Sequence, residues 1–298
     1  MAPPLLPSDG ELVSIAQEWY DARVKAYNSN QCQDLPGPWS GFAYPPSEPI
    51  VWIKMKGSLG EARMQTLAYD YLSGMDPSMR RNVRVPEVYR TIEWDGKIYI
   101  VMEYVNGKSL MEDVVIDDTV YDSLMDQLAY AIQLLLSFPV SADTPPGPAG
   151  GGQIRHTIFK DQEASIDYNS VEEIERHFNN IIESKGDQRT IRFSGERMCF
   201  CFSDIHEANV IFTNMDNGYV YIIDFEHAAF LPISFMAYVL NWADSWILLN
   251  LRRRITLQPG EMEGNANLVP LSRVKYIYTF CNLAIGLSFD EELGWHIS

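Results

Sequence analysis

Apolar and polar residues alternate through residues 51–56, and this period of two predicts a strand with one apolar face. After it, apolar residues recur every three or four positions until Gly74, which predicts a helix. Ser58 and Glu61 have the spacing of a capping box at the start of that helix. The segment is therefore predicted to fold as a strand followed directly by a helix.

Two further strand-like runs, residues 85–94 and 97–105, are joined by Asp95-Gly96. An Asp-Gly pair between alternating apolar runs is a strong signal for a β-hairpin. Residues 51–105 are thus predicted to form a strand, a helix and two more strands.

The remaining pattern is mainly helical. Helical spacing occurs in residues 11–27, 118–135, 170–182, 231–251 and 270–287. Two segments rich in Pro and Gly, residues 36–49 and 139–153, are predicted to be loops. Periodic apolar segments resume after the second one, so we interpret it as a surface loop within one lobe.

A second hairpin is predicted from the short apolar runs at residues 210–212 and 220–222, which are separated by turn-forming residues. The expected register pairs Phe212 with Tyr219. It would bring Asn209 close to the end of the second strand.

Three polar residues, Asp204, Asn209 and Asp224, would meet at the open end of this hairpin. A carboxylate and an amide oxygen at one point suit Mg²⁺, which prefers oxygen ligands. A second carboxylate nearby can orient a hydroxyl group and accept its proton, so the set suits phosphoryl transfer. The alternative is structural, because Asp and Asn often cap turns and end strands.

The ordered set of Asp204, Asn209, a hairpin and Ile-Ile-Asp224-Phe-Glu resembles the motif of the aminoglycoside phosphotransferase and choline kinase superfamily. That motif reads His-Gly-Asp-Leu-x-x-x-Asn and, after a hairpin, Ile-Asp-Phe/Trp-Glu. The resemblance covers about residues 50–240, and residues 225–232 look like fungal members of unassigned function. It implies an α+β, two-lobed, protein-kinase-like fold.

The resemblance also implies a division of labour between the lobes. A β-rich lobe of residues 1–105 would position the nucleotide phosphates, and a helical lobe of residues 106–298 would carry the catalytic loop, the metal site and the acceptor site. The reaction would be ATP- and Mg²⁺-dependent transfer of a phosphoryl group to a hydroxyl of a small molecule. The implied roles are a catalytic base (Asp204), metal ligands (Asn209, Asp224), a phosphate-contacting lysine with its helix partner (Lys54, Glu61) and a hinge that holds adenine (Glu103, Val105).

Several of these assignments have alternatives. Lys56 lies on the same face as Lys54 and competes for its role. Glu61 could serve only as the capping partner of its helix. His206 could be a general base, although we interpret it as a loop residue, and Glu226 could reach the metal or be solvated.

The sequence also departs from the motif. Phe202 stands where the motif has His, and Ser203 stands where it has Gly. An aromatic residue can keep the packing of that His while losing its hydrogen bonds. No Gly-rich phosphate loop precedes Lys54, and the segment holds Pro36, Pro38, Gly41 and Pro45-Pro46 instead. The alternative function is therefore a kinase-like protein without phosphoryl transfer, either a binding protein or an enzyme with another reaction in the same pocket.

The net charge of −17 argues against a protein that binds nucleic acid, because phosphate contacts need clustered Lys and Arg. It favours an acceptor that carries an amine or quaternary ammonium group, drawn in by long-range attraction. The acidic segment 290–292 and a cation–π contact from Trp242 and Trp246 would add to this preference.

The cellular location is predicted from features that the sequence lacks. The four cysteines have no C-x-x-C spacing, and no apolar run approaches the length of about 18 residues that spans a membrane. The first residues lack a basic region followed by an apolar core. We therefore expect a cytoplasmic protein without membrane contact, and the sequence does not indicate its oligomeric state.

Overall fold

The structure, a computed structural model, describes residues 4–29, 40–110, 118–214, 218–241, 245–290 and 294–297. Its helices are α1 (Asp9–Asn28), α2 (Leu59–Ser73), α3 (Pro77–Arg80), α4 (Asp118–Leu136), α5 (Val171–Glu183), α6 (Ile233–Leu240), α7 (Trp246–Arg254) and α8 (Leu268–Phe280). Its strands are β1 (Gly41–Tyr44), β2 (Val51–Gly57), β3 (Val83–Arg84), β4 (Val88–Trp94), β5 (Lys97–Glu103), β6 (Lys108–Ser109), β7 (Met198–Phe202), β8 (Val210–Phe212), β9 (Val220–Ile222), β10 (Ala228–Pro232), β11 (Ser288–Asp290) and β12 (Gly294–His296).

The first part of the chain forms an antiparallel sheet in the order β1-β2-β5-β4. The predicted hairpin of β4 and β5 is confirmed, with Asp95 and Gly96 at positive φ values of 51° and 68° in the turn. Strand β1 was not expected, because residues 36–49 were predicted to be a loop. Its four residues are followed at once by Pro45, so they are too few to show an alternating pattern.

The two faces of β2 have different neighbours. Val51, Ile53 and Met55 pack with buried residues of α1, which confirms the predicted apolar face. The opposite face turns towards α2 and carries Lys54, which is only 6% exposed. The alternation of the strand thus buries a lysine as well as its apolar residues.

The helical part has an extensive core, built mainly from α4, α5, α6, α8 and the pair β7–β10, and buried residues of α2 belong to the same core. Residues 231–251 were predicted as one helical segment, and this is wrong. They contain the end of β10, then α6 and α7, with residues 242–244 outside the described part. Every residue of α6 is buried and all but Ser234 are apolar, so its sequence shows no period that could mark a boundary.

The second predicted hairpin, β8–β9, forms within the sheet β3-β9-β8-β6. Its register differs by one residue from the expected one, because Phe212 pairs with Val220 and Thr213 closes the turn on Tyr219. Asn209 therefore lies opposite Ile223, whose N–H donates to the Asn209 carbonyl at 3.0 Å. This correction places Asn209 directly beside the residue that precedes Asp224.

Among the described residues, no helix combines the length and the apolar character that crossing a membrane requires. The lobe boundary at residue 105 stays a prediction.

Candidate active site

A cavity of about 630 Å³ lies between the first sheet and the β8–β9 hairpin. Six of the seven predicted site residues line it: Lys54, Glu61, Glu103, Val105, Asn209 and Asp224. The seventh, Asp204, adjoins the cavity through a 2.9 Å hydrogen bond from the Asn209 amide. The fold therefore brings together residues that are up to 170 positions apart in the chain.

Lys54 is the centre of an ion network. Its Nζ lies 2.7 Å from Glu61 Oε1 and 2.9 Å from Asp224 Oδ1. The side chains of Lys54 and Glu61 are 7% and 0% exposed, so this pair is shielded from water. Lys56, the competing candidate, is exposed. The structure thus places Lys54 in the cavity and leaves Lys56 at the surface.

Glu61 is held from two directions. The Ser58 hydroxyl accepts a hydrogen bond from the Glu61 N–H at 3.0 Å, which caps α2. The Glu61 carboxylate binds Lys54 rather than turning back to the cap, so the predicted capping box is only half formed. One oxygen, Glu61 Oε2, is buried and has no hydrogen-bond partner among the described residues.

The electrostatics keep Lys54 charged. Burial lowers the pKa of Lys54, but the nearby carboxylates of Glu61 and Asp224 outweigh it, so the pKa is raised above 10.5. A permanently charged ammonium group in a water-poor cleft is well suited to bind anionic oxygens.

Asp224 has an unusual backbone conformation at the end of β9. Its φ and ψ are 63° and 76°, in the left-handed region. Asp and Asn are among the few non-glycine residues that adopt this region readily. Such conformations cluster at functional sites, and here the left-handed residue is the one whose carboxylate meets Lys54.

The loop between β7 and β8 is held by contacts within itself. Asn209 Nδ2 donates to the Asp204 carbonyl at 3.0 Å and to Asp204 Oδ2 at 2.9 Å. Burial raises the pKa of Asp204, but the interactions with His206, His227 and Asn209 outweigh it, so the pKa is lowered. Asp204 is therefore a carboxylate at neutral pH.

The residues that replace the motif's His and Gly also have clear partners. Phe202 is buried and packs on Phe225, with ring centroids 5.2 Å apart. The Ser203 hydroxyl donates to the His227 carbonyl at 3.0 Å. The expectation that an aromatic residue keeps the packing is confirmed, and the loop stays tied to the segment after Asp224.

Arg155 was not predicted from the sequence as a site residue, and Glu226 was predicted either to reach the metal or to be solvated. Glu226 Oε2 lies 3.8 Å from Lys54 Nζ, and its other oxygen forms an ion pair with Arg155. Arg155 also pairs with Glu163 at 3.0 Å. A single arginine after a Gly-rich loop gives no sequence signal, because only the tertiary fold brings it to Glu226.

The oxygen atoms at the site fit a hard divalent cation. Oxygens of Glu61, Asp224 and Glu226 lie within 4.8 Å of one another. The amide nitrogen of Asn209 is engaged by Asp204, which leaves its amide oxygen as the atom available to a metal. An all-oxygen donor set of this kind suits Mg²⁺, which is usually held by one or two carboxylates together with water and phosphate oxygens.

Some predictions fall outside the described residues. These include Pro36, Pro38, Trp242 and two of the acidic residues near the end of the chain. Gly41 begins β1, and Pro45 follows that strand. Trp246 is 65% exposed, so its expected contact with a cation stays a prediction.

The sequence profile of the Phosphotransferase enzyme family matches residues 54–258, which is more than half of the chain. The chain belongs to this family, and the predicted two-lobed α+β, protein-kinase-like fold is confirmed. The comparison with curated protein sequences gives no match.

Similar solved structures include a thermostable mutant of aminoglycoside phosphotransferase APH(4)-Ia (14% identity, 76% of this chain and 77% of that chain, TM-score 0.48). Another is APH(2")-IIia with GDP and kanamycin (16%, 81% and 83%, TM-score 0.47). A third is the ethanolamine kinase of Plasmodium vivax (11%, 82% and 73%, TM-score 0.43). At these scores the likenesses say nothing about this chain's own substrate.

Proposed function

We propose that this member of the Phosphotransferase enzyme family transfers the γ-phosphoryl group of ATP to a hydroxyl of a small molecule, with Mg²⁺. The observation that carries the proposal is the single cleft in which Lys54, Asp224, Asn209 and Asp204 converge. Phosphoryl transfer depends mainly on positioning and on stabilisation of negative charge, and these four side chains offer both.

The hinge side of the cavity suits a nucleotide base. Apolar groups of Trp52, Met102 and Ile211 line it beside Glu103 and Val105. The Val105 N–H has no hydrogen-bond partner within the described ranges, so it is free to donate to a ring nitrogen of the base. The flat apolar walls would hold the base, and Lys54 at the other end would bind the phosphates.

The metal would be held by the Asp224 carboxylate and the Asn209 amide oxygen, with Glu226 close enough to join. When bound, Mg²⁺ neutralises phosphate charge and orients the phosphate chain. In the present structure Asp224 binds Lys54 instead. Asp224 would give up this lysine contact to hold the metal, and Lys54 would keep its bond to Glu61.

Asp204 would bind the acceptor. Its lowered pKa keeps it ionised at neutral pH, so it can accept a hydrogen bond from the acceptor hydroxyl. The hydroxyl oxygen forms a bond to the γ-phosphorus while the bond between that phosphorus and ADP breaks. The hydroxyl proton passes to the Asp204 carboxylate.

The chemical class of the acceptor is inferred from the net charge of the protein. A net charge of −17 favours capture of a molecule with an amine or quaternary ammonium group. Such capture weakens as salt screens the attraction over a distance of about 10 Å at 0.1 M ionic strength. The salt dependence of kcat/KM therefore distinguishes a cationic acceptor from a neutral one.

The test is a turnover assay with ATP, Mg²⁺ and a panel of amino-alcohols, aminoglycosides, neutral alcohols and hydroxy acids, with phosphomonoester formation followed by ³¹P NMR. We expect a phosphorylated product from an amine-bearing acceptor and none in EDTA. A neutral or acidic best acceptor with no salt dependence would overturn the acceptor class alone. Nucleotide binding without turnover of any acceptor would favour the silent, kinase-like binding protein.

A further inference from the structure

His206 is oriented by its own backbone turn. It precedes the 3₁₀ turn Glu207–Asn209, and its Nδ1 accepts a hydrogen bond from the Ala208 N–H at 3.2 Å. A ring nitrogen that accepts carries no proton, so the neutral imidazole has its proton on Nε2. The turn therefore fixes both the ring orientation and the tautomer.

The other ring nitrogen of His206, Nε2, lies within ion-pair distance of the Asp204 carboxylate. Nε2 lies 3.4 Å from Asp204 Oδ2, the same oxygen that accepts from Asn209 Nδ2 at 2.9 Å. Asn209 Nδ2 and His206 Nε2 both approach Oδ2, which leaves Oδ1 for another partner. His206 also lines the cavity, so the pair lies at the reacting end of the cleft.

The residue that replaces the histidine of the family motif, Phe202, cannot supply a polar contact to Asp204. Phe202, at the end of β7, fills space against Phe225 and has no group that donates a hydrogen bond. The polar support of the Asp204 carboxylate comes from His206 and Asn209 alone among the described residues. Asn209 is also needed for its amide oxygen, which makes His206 the donor dedicated to Asp204.

We propose that His206 is a positioning residue that fixes the rotation of the Asp204 carboxylate, so that Oδ1 faces the acceptor hydroxyl. The inference rests on the proposed phosphotransferase function. The alternative is that His206 only caps its turn. At 3.4 Å the contact is longer than an optimal hydrogen bond, so its loss is expected to lower kcat about tenfold, the lower end for bonds to a charged group.

Two variants separate the two roles. His206→Asn keeps an oxygen near the position of Nδ1, so it can still cap the turn, but it cannot reach Asp204. His206→Gln places an amide N–H near the position of Nε2. We expect His206→Asn to lower kcat about tenfold at unchanged nucleotide affinity and acceptor KM, and His206→Gln to recover most of the loss.

The same pair of variants can overturn the proposal. Equal kcat values for His206→Asn and His206→Gln, or loss of melting temperature in parallel with kcat, would show a structural role only. In the Asp204→Asn background, His206→Asn should cause no further loss of kcat, since the contact it serves is already gone. A further tenfold loss there would contradict positioning through Asp204.

A readout without turnover keeps this inference distinct from the proposed function. Asp204 raises the pKa of His206, so the ¹⁵N NMR spectrum of the wild-type protein is recorded at alkaline pH, where the imidazole is neutral. The His206 ring should then show the Nε2–H tautomer, and Asp204→Asn should shift its signal. An Nδ1–H tautomer, or a signal that Asp204→Asn leaves unchanged, would overturn the contact. If the NMR result holds but no acceptor is phosphorylated, the proposed function fails and the contact stands.

Discussion

The two halves of the cleft are held by different kinds of contact. On the sheet side, Lys54 meets Glu61 seven residues away and Asp224 170 residues away. On the hairpin side, Asp204 and Asn209 are five residues apart and bond within one loop. The first half is a network of charges from three separate elements, whereas the second is a local turn.

Because of this difference, we expect the sheet side to contribute mainly to the stability of the fold and the hairpin side mainly to the reaction. Removing one partner of a buried ion pair leaves an uncompensated charge and destabilises the whole fold. Asp204, in contrast, is partly exposed and its loop is fixed by short-range bonds. The sheet half should therefore be sensitive in folding experiments and the hairpin half in kinetic ones.

The largest effect is expected from Asp204→Asn in the hairpin half. Loss of a positioned general base lowers turnover by about 10²–10⁴-fold. Nucleotide affinity and unfolding free energy should stay close to wild type, because the amide keeps the size of the side chain. Steady-state kinetics and urea denaturation of the same preparation check this, and a large loss of stability would contradict the separation.

The matching change in the sheet half is Lys54→Met. It leaves the Glu61 carboxylate buried without its cation, so we expect the unfolding free energy to fall by about 3–5 kcal/mol. Urea denaturation measures it, with Lys56→Met, at an exposed position of the same strand, as the control.

The control should change the unfolding free energy by no more than about 0.5 kcal/mol. The double variant Lys54→Met/Glu61→Leu should recover much of the loss, since no unpaired buried charge remains. Equal effects of Lys54→Met and Lys56→Met would show that the ion pair does not support the fold.

The same pair predicts a pH dependence. Burial lowers the pKa of Lys54, but Glu61 and Asp224 raise it to above its ordinary value of 10.5. A raised pKa means that the stabilisation is complete below pH 10.5 and is lost as the pH rises through the folded-state value.

The difference in unfolding free energy between wild type and Lys54→Met/Glu61→Leu should therefore shrink above pH 10.5, because this variant keeps no buried Glu61 carboxylate whose own titration would change the comparison. Urea denaturation at a series of pH values measures it. A difference that grows in the alkaline range would contradict the assignment.

The smallest effect compares two helix caps. Ser58 caps α2 next to Glu61, and Ser170 caps α5 in the helical part. Changing either serine to Ala should cost about 1 kcal/mol of stability. Only Ser58→Ala should also weaken nucleotide binding, because it loosens the helix turn that presents Glu61 to Lys54. Calorimetric titration of both variants with ATP checks this. Equal nucleotide affinity in the two variants would show that the Ser58 cap does not affect the nucleotide site.

The local half of the site could be predicted from the sequence, since the hairpin, Asn209 and Asp224 follow from strand patterns and turn residues close together. The strand of Lys54 and the helix of Glu61 were also recognisable, although their contact with Asp224 depends on how the two lobes meet. Pattern alone could not distinguish a surface lysine from a buried one.

The failures have physical causes as well. Strand β1 is only four residues long, and β10 is apolar throughout, so neither shows a period of two. The hairpin register was wrong by one residue because a turn of uncertain length sets it. Arg155 reaches Glu226 only through the tertiary fold, and no local pattern marks such a contact.

The central claim is that the cleft binds a nucleotide through Mg²⁺ held at Asp224. It is tested most directly by isothermal titration of ATP, at millimolar Mg²⁺ and again with EDTA, into wild type, Asp204→Asn and Asp224→Asn. We expect binding to wild type and Asp204→Asn that vanishes with EDTA. Binding to Asp224→Asn should be weaker by about tenfold or more, the effect of losing one charged contact. Absence of binding for ATP, ADP and GTP, or equal affinity in all three proteins, would contradict it.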